Sequence, residues 1–577
     1  MVKKIKIKLN GKEIECFEGQ TILQVASENN IDIPSLCEHP DFPHKANCRV
    51  CVVEVKGKKN LTTSCSTTVA QGMEIETESS RVVRARNLNL ELIYSEHIER
   101  CSTCVWRLNC KLLDYAAKYK VLLTTFKDRK GNRPIYKFEN AVELDGSQCI
   151  DCRNCVDACT LLQNVNYLEI KGKGSDQEIV PTNDENIHCI LCGQCAVHCP
   201  VSAAQEQTHW EAVEKIIKDR NKIVVAEFAP SIRVSIGEEF KLPYGQIVTE
   251  QLVEAMKLIG FNYVFDVNFS ADVTTLVEAD ELIERLKTLP SSSKEGERGK
   301  MPMFTSCCPA WVRYVEFYRP DLIPNLTTSR SPQIHGGGLV KTYWAEKMKV
   351  DPKDIVVVSV MPCTSKKFEA SREELKINGL NPVDFVLTTR ELAWMIKKNN
   401  IDFANLKGLP ADAPLGEHSG ASVIYGGSGG VMESALRTAQ AVLCGEDSKL
   451  CKERLEFIDV RGLDGIKTSI VDFNGKKLKV AVVNGMKNLQ EFLKDYEQYD
   501  YIEVMACPGG CIGGGGQPIP TTAEIRKKRI EALLKIDKEK VIREAHKNKS
   551  VKKAMEWLDT QGKLKHQILH TSYKKRK

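Results

Sequence analysis

Several things are absent from this sequence. No apolar run in its 577 residues reaches the length of a membrane span. The N-terminus, MVKKIKIKLNGKEIECFEGQ, alternates polar and apolar residues like a strand and lacks the apolar core of a signal peptide, so the expected location is the cytoplasm. The net charge of +6 is small for this length and gives no pointer to nucleic acid. No dinucleotide-binding glycine fingerprint supports direct use of NAD, and no added signalling domain is visible. Basic residues do gather near the end, in KNKSVKK and SYKKRK, where a solvated helical tail is expected rather than a docking patch for an acidic partner.

What is plentiful is cysteine, 23 in all. In a large chain without an export signal, thiols clustered in C-x-x-C units point to metal rather than to disulfides. The length implies three or four domains. Residues 1–78 read as short strands and turns carrying Cys37, Cys48, Cys51 and Cys65. The plant-type [2Fe–2S] site has a tight group and one distant cysteine, usually as C-x4-C-x2-C. Here the first gap is longer, and a zinc site is the alternative. Next, His97, Cys101, Cys104 and Cys110 can close a tetrahedral site, which by spacing alone suits zinc as well as iron–sulfur. Two runs then repeat about forty residues apart: Cys149, Cys152, Cys155, Cys159 and Cys189, Cys192, Cys195, Cys199. This is the bacterial two-cluster ferredoxin spacing, in which the fourth cysteine of each run serves the other cluster. Cys149, Cys152, Cys155 and Cys199 are expected to hold one cluster, and Cys189, Cys192, Cys195 and Cys159 the other. Thr160 stands where proline is usual.

From about residue 210 apolar runs alternate with helical stretches, the pattern of α/β layers. Candidate strands are Lys222–Glu227, Tyr263–Val267, Met301–Thr305, Ile355–Val360, Lys479–Val483 and Tyr501–Val504. Ligands in such sheets sit beyond the C-terminal strand ends, and three of these strands run into cysteines: Cys307 and Cys308, Cys363, and Cys507 with Cys511. Four thiols suffice for a cubane and one is left over. Six glycines in MACPGGCIGGGGQP imply a close approach between the backbone and a bulky group. Cys16, Cys444 and Cys451 are read as buried or free thiols.

T-S-C-C-P-x-W, M-P-C-x-x-K-x-x-E and E-x-M-A-C-x-x-G-C-x-x-G-G-G-x-P, in this order, resemble the three signatures of [FeFe]-hydrogenases. The N-terminal modules are similar to the monomeric clostridial type with four accessory clusters. After a [2Fe–2S] module, the His97 set resembles the one-histidine, three-cysteine [4Fe–4S] domain. The resemblance implies a multidomain α+β and α/β protein. Its parts are a plant-type ferredoxin-like β-grasp domain (1–78), a small one-His/three-Cys cluster domain (79–125), a bacterial two-[4Fe–4S] ferredoxin domain (126–209) and a large α/β catalytic domain with mostly parallel sheets (210–577).

The same resemblance implies the reaction 2H⁺ + 2e⁻ ⇌ H₂ at an H-cluster, a [4Fe–4S] unit bridged to a diiron azadithiolate subcluster with CO and cyanide ligands. Cys308, Cys363, Cys507 and Cys511 would hold the cubane, with the Cys511 sulfur as the bridge. Cys307 would be the free thiol that passes protons, and Lys366 would hydrogen-bond a cyanide. Pro230 and Ser231, Gln333, Met361 and Met505 would complete the pocket. The implied proton order is Cys307, Glu278, Thr327, Glu281, Arg285. Glu278, Glu281 and Arg285 share one helical face, which by pattern alone reads as solvated. Thr327 stands where serine is usual. Ferredoxin or flavodoxin is the implied electron partner, dedicated maturases are implied for the diiron unit, and the chain is expected to act as a monomer. An electron-transfer subunit would explain residues 1–209 only, and an iron–sulfur assembly factor would be expected to lack Cys307 and the Lys366 context.

Overall fold

The stretch KIKIKL places isoleucine and leucine on one face and lysine on the other. In the computed structural model it forms strand β1, Lys4–Leu9, buried at alternate residues. The structure describes residues 3–97, 101, 104, 106–123, 125–287, 300–444, 456–473 and 475–576; Cys451 and the Cys444 side chain lie outside them. With β2 (Lys12–Phe17), β3 (Val52–Val55), β4 (Thr62–Thr63) and β5 (Glu74–Glu76), β1 builds a mixed sheet of order β2-β1-β5-β3-β4. β1 runs parallel to β5 and antiparallel to β2. The helix Ile22–Glu28 covers the sheet and is started by a capping box between Thr21 and Gln24. Cys51 and Cys65 belong to the core beneath it, and Cys16 is buried there too, as expected. This is the ferredoxin-like architecture foreseen for residues 1–78.

The helices Ser80–Ser95 and Lys111–Lys118 follow. Then β6 (Ile135–Phe138), β7 (Val142–Asp145) and β10 (Ala204–Glu206) form an antiparallel sheet, and β8 (Leu168–Lys171) pairs with β9 (Glu178–Pro181). The repeat in the two cysteine runs is repeated in the backbone. Asp151 and Leu191 have φ of 54° and 62°, and Arg153 and Gly193 have 65° and 69°. Non-glycine residues avoid this region unless a local demand holds them there. The demand is visible in the hydrogen bonds: the Asp151 N–H donates to Cys149 Sγ at 3.3 Å and the Leu191 N–H to Cys189 Sγ at 3.4 Å. Such inward-turned amides favour a negatively charged sulfur.

The C-terminal two-thirds holds two four-stranded sheets. β11 (Ile223–Phe228), β12 (Tyr263–Asp266), β14 (Ile355–Met361) and β15 (Phe385–Thr388) run parallel in the order β12-β11-β14-β15. β13 (Met303–Phe304), β16 (Ile466–Phe473), β17 (Lys476–Asn484) and β18 (Tyr501–Met505) run in the order β13-β18-β17-β16, with only β16 antiparallel. Every residue of β14 is buried, as a strand covered on both faces requires. Six strands fall where the apolar runs place them, though the bounds of β13 and β17 differ by a few residues. β15 and β16 escape such a reading, β16 because its outer residues alternate with exposure at the sheet edge.

The helix Val267–Lys287 buries Glu278 and Arg285, in line with the resemblance rather than with the pattern alone, because helices Pro332–Leu339 and Gly430–Cys444 pack on it from two sides. One expectation is corrected. While KNKSVKK does open a helix, Lys549–Asp559, that helix buries Val551, Ala554 and Leu558 in the core, and the segment SYKKRK is an extended strap. The Thr571 N–H donates to Thr328 O at 2.8 Å and the Arg576 N–H to Glu316 O at 3.0 Å, while the Arg576 guanidinium pairs with the buried Glu316 carboxylate. Among the described residues no helix is long and apolar enough to cross a membrane.

Candidate active site and its thiol relay

The three cysteine-bearing strand ends come from both sheets: β14 leads to Cys363, and β13 and β18 lead to Cys307, Cys308 and Cys507. Between the sheets they line one cavity, with about 80 Å³ open to the centre of a water-sized sphere. Cys307, Cys308, Cys363, Cys507 and Cys511 all line it, with Pro230, Gln333, Met361, Met505 and Lys366. All ten are residues that the sequence reading assigned to one site. Ser231 follows the lining Pro230 and is fully buried, with its hydroxyl unpartnered among the described residues.

Burial raises the pKa of all five thiols, Cys363 to about 12. Neighbouring sulfurs add to it: Cys507 senses Cys363, Cys308 and Cys511. Lys366 is the one charged side chain of the lining. Burial is the largest single influence and opposes its charge, but Glu369 together with Cys307 and Cys363 outweighs it and holds the pKa above the ordinary value. Its Nζ donates to Glu369 Oε2 at 2.7 Å and to Cys307 O at 3.1 Å. Glu369 is a hub that no role in the sequence reading anticipated. It also accepts from Ser331 Oγ at 2.9 Å and from Gln333 Nε2 at 3.1 Å.

Four or five dry thiols beside one ammonium are a poor set for thiolates alone and a good set for a polynuclear iron centre, whose own charge would deprotonate its ligands. The unpartnered Ser231 hydroxyl and Gln333 Oε1 are buried polar atoms left for such a guest. The residues fit the group that the signatures imply.

The glycines explain themselves differently from the sequence-based expectation. Gly510 and Gly514 line the cavity, but a Cβ on Gly514 would also lie 2.2 Å from Pro362 O, beside Cys363. A Cβ on Gly515 would lie 2.4 Å from Cys192 O and 2.5 Å from Gly193 Cα. Much of the glycine run therefore meets other backbone rather than a guest. It clamps the Cys511 hairpin against the Cys363 turn on one side and against the Cys189–Cys199 run on the other. Gln194 Nε2 donating to Gly513 O at 3.0 Å and Thr364 Oγ1 donating to Leu191 O at 2.8 Å tie the same junction.

From that junction the thiol sets form a relay. Cys192 senses Cys507 as well as its own set, Cys189 and Cys195. Cys195 senses Cys189, Cys159 and Cys199. Cys152 senses Cys199, Cys149 and, from the N-terminal domain, Cys37. Cys37 perturbs and is perturbed by Cys48 and Cys65, and Cys65 likewise by Cys51, so the four thiols form one neighbourhood. His97 lines a second cavity with Cys101, Cys104 and Cys110. Its Nδ1 pairs with Gln148 O at 2.8 Å, which leaves Nε2 for a metal and places the ring one peptide from Cys149. The relay is thus forked: the Cys37 set and the His97 set both meet the Cys149 set, which leads through the Cys189 set to the large cavity.

The family model for the iron only hydrogenase large subunit, C-terminal domain, matches residues 222–515, and that for the iron hydrogenase small subunit matches 523–576. The models for a 2Fe-2S iron-sulfur cluster binding domain, the NADH-ubiquinone oxidoreductase-G iron-sulfur binding region and a 4Fe-4S dicluster domain match 2–80, 86–122 and 148–203. Iron hydrogenase 1 of Clostridium pasteurianum is 39% identical over 98% of this chain and 99% of its own. The NADP-reducing hydrogenase subunit HndD of Solidesulfovibrio fructosivorans is 39% identical over 99% of both. The structure of a variant of [FeFe]-hydrogenase HydA1 from Chlamydomonas reinhardtii is 36% identical, covers 64% of this chain and 99% of its own, and aligns with a TM-score of 0.54. This chain belongs to the [FeFe]-hydrogenase family. It is an iron–sulfur oxidoreductase of hydrogen metabolism.

Of the side chains foreseen as a proton route in this hydrogenase, Glu278, Thr327 and Arg285 are buried and Glu281 is part-exposed. The Glu281 carboxylate is ion-paired with Arg285 and accepts from Thr327 Oγ1 at 2.7 Å. Thr328, which is exposed, donates to the same carboxylate through its hydroxyl at 2.9 Å and its N–H at 3.0 Å. Glu278 is fully buried, and burial followed by the charge of Glu281 pushes its pKa up to about 8. No hydrogen bond joins Glu278 to Cys307 or Thr327 directly. One oxygen of Glu278 is unpartnered, and the other accepts from Tyr501 Oη at 3.2 Å.

Tyr501 was missed because it sits in an apolar strand, where a tyrosine reads as core. Replacing it with phenylalanine removes the donor that favours the Glu278 carboxylate. The Glu278 pKa then rises by about half a unit to one unit, since a hydrogen bond contributes about 0.5–1.5 kcal/mol and a pKa unit corresponds to about 1.4 kcal/mol. With Glu278 as a proton donor, the alkaline limb of H₂ evolution moves to higher pH by that amount. An unmoved limb in a pH–rate profile of Tyr501→Phe would separate Glu278 from the rate.

Proposed function

We propose that the chain catalyses 2H⁺ + 2e⁻ ⇌ H₂ at an H-cluster held by Cys308, Cys363, Cys507 and Cys511, with Cys511 also bridging to a diiron subcluster. A [2Fe–2S] cluster at Cys37, Cys48, Cys51 and Cys65 and three [4Fe–4S] clusters complete the set. Of these three, one is held by His97, Cys101, Cys104 and Cys110. The second is held by Cys149, Cys152, Cys155 and Cys199, and the third by Cys189, Cys192, Cys195 and Cys159. Electrons exchange with ferredoxin or flavodoxin, and dedicated maturases supply the diiron unit. The observation that carries this reading is the meeting of five thiols and one ammonium in a single, largely apolar cavity whose wall adjoins Cys192.

Bound there, the diiron group supplies the redox chemistry that interconverts protons and H₂. The chain contributes the surroundings. Lys366, held charged by Glu369, offers Nζ to an anionic ligand. Ser231 and Gln333 fix orientation with their free polar atoms, and Met361 and Met505 exclude water. Cys307 Sγ, protonated because burial and the nearby charges of Glu278 and Cys308 disfavour its thiolate, holds a proton at the cavity wall. Glu278 takes the next proton, with a water as the expected link from Cys307, and Thr327, Glu281 and Arg285 continue the route. An infrared spectrum of fully matured protein tests the reading: bands are expected in the CO and cyanide stretching region, and their absence would refute it. Protein made without maturases should hold only its cubanes and the [2Fe–2S] cluster.

A second reading rests on the similarity to a subunit of an NADP-reducing hydrogenase. On that reading the chain hands electrons to another polypeptide. Purified chain that evolves H₂ from reduced ferredoxin unaided favours the first reading, and dependence on an added subunit favours the second.

A further inference from the structure

The two four-cysteine runs match in spacing and in backbone angles, yet they differ sharply at the residue beside the first sulfur. Cys149-Ile150-Asp151-Cys152 stands against Cys189-Ile190-Leu191-Cys192. In both runs the N–H of the third residue turns to the first sulfur at nearly the same distance. In both, the carbonyl of the first cysteine accepts from a buried cation: Cys149 O from Lys130 Nζ at 2.7 Å, and Cys189 O from Arg313 Nε at 2.8 Å. With ligand set, sulfur hydrogen bond and first cation alike, the remaining means of separating two iron–sulfur sites is the charge around those cations.

That charge differs. Asp151 Oδ1 lies 3.7 Å from Cys149 Sγ, where the other run has the buried and uncharged Leu191. Lys130 is shared between Asp151 at 2.9 Å and the buried Glu96 at 3.2 Å, so two carboxylates offset its charge. Arg133 approaches Asp151 only to 4.0 Å. Arg313, by contrast, meets one carboxylate among the described residues, Glu139 at 3.0 Å, whose side chain is 51% exposed and screened by water. Its guanidinium otherwise lies over the rings of Phe317 and Phe368, at 4.8 and 4.6 Å. Of the charged side chains around Cys149 the anion Asp151 acts most strongly, and around Cys189 the cation Arg313 does.

We infer that Asp151 and Arg313 set the potentials of these two sites apart: Asp151 makes the Cys149 site the harder to reduce, and Arg313 makes the Cys189 site the easier. An electron added to an iron–sulfur cluster is an added negative charge, disfavoured by a nearby carboxylate and favoured by a nearby guanidinium. Because the Cys189 set adjoins the large cavity through Cys192, electrons run downhill toward that cavity. The step moves one electron, oxidising the cluster at the Cys149 set by one and reducing that at the Cys189 set by one; no proton moves and no bond changes. The inference rests on the proposed [4Fe–4S] pair and gives each member its rank. Both residues act through the clusters and touch no substrate.

The test is a potential titration of the cluster-loaded full chain, followed by electron paramagnetic resonance, with iron and sulfide measured on each sample. Asp151→Leu copies the other run, where leucine already holds a matching backbone angle, and Asp151→Asn removes the charge with the least change of shape. Each is expected to raise one [4Fe–4S] component. Its reduced-to-oxidised ratio at a fixed ambient potential rises about tenfold, which is about 59 mV for one electron. Arg313→Gln is expected to lower a different component by a similar factor. In the wild-type chain the component that answers to Asp151 should titrate below the one that answers to Arg313. Unmoved midpoints in loaded Asp151 variants, one component answering to both residues, or the reverse wild-type order would overturn the inference. Should Asp151→Leu load poorly, Asp151→Asn decides. A wild-type chain whose iron content and spectra show no [4Fe–4S] pair refutes the cluster reading itself.

Discussion

Cys307→Ser is expected to leave the other four thiols and the backbone intact and to cut turnover by about 10²–10⁴-fold, the usual worth of a positioned proton donor. The replacement is nearly isosteric, and the Cys307 carbonyl that accepts from Lys366 is retained. What changes is acidity. The Cys307 thiol is already above the ordinary range, raised first by burial and then by the charges of Glu278 and Cys308, with Lys366 pulling the other way. A serine hydroxyl in the same place is far weaker as an acid and cannot release its proton on the timescale of turnover. H₂ evolution with a dye donor measures the loss, and an infrared spectrum of the same sample checks that the site is loaded. A loaded variant turning over at near the normal rate would remove Cys307 from the route.

Gly515→Ala should damage the molecule in another way. The added methyl would meet Cys192 O at 2.4 Å and Gly193 Cα at 2.5 Å, both main-chain atoms that no rotamer can move aside. Overpacking of this kind costs about 1–3 kcal/mol, and the strain is relieved by separating the Cys511 hairpin from the Cys192 turn. The expected result is a lower unfolding free energy by about that amount in denaturant titration, together with slow H₂ evolution from ferredoxin. Exchange between H₂ and D₂O, which needs no electron from outside, should survive. Ferredoxin-driven evolution at the wild-type rate would show that the contact does not govern passage between the two sites.

The grouping of the thiols was legible because metal chemistry, where it acts, sets spacing locally, within a few residues of chain. The repeated runs Cys149–Cys159 and Cys189–Cys199 even carry matching backbone angles. The strands ending at Cys363 and Cys507 were legible because covered parallel strands are apolar at nearly every position. What stayed hidden depends on partners remote in sequence. Glu278 and Arg285 look like a wet helical face until two other helices cover them. Glu369 looks like an ordinary helix residue until Ser331, Gln333 and Lys366 arrive from three directions. Tyr501 looks like packing until Glu278 meets its hydroxyl, 223 residues away. The glycine run was rightly read as a close approach, but the neighbour for Gly515 is the backbone at Cys192. The strap at 570–576 is likewise a long-range choice, made by the buried charge of Glu316.

The forked path has a consequence for timing. Hydrogen formation consumes electrons in twos, whereas an iron–sulfur carrier delivers them singly and then departs. With the Cys149 set adjoining two branches, the Cys37 set and the His97 set, clusters held there would let a first electron wait in one branch while a second arrives. The second delivery then need not coincide with the brief life of a half-filled centre. A branch off the direct line would work as a small reservoir, smoothing an irregular supply into pairs.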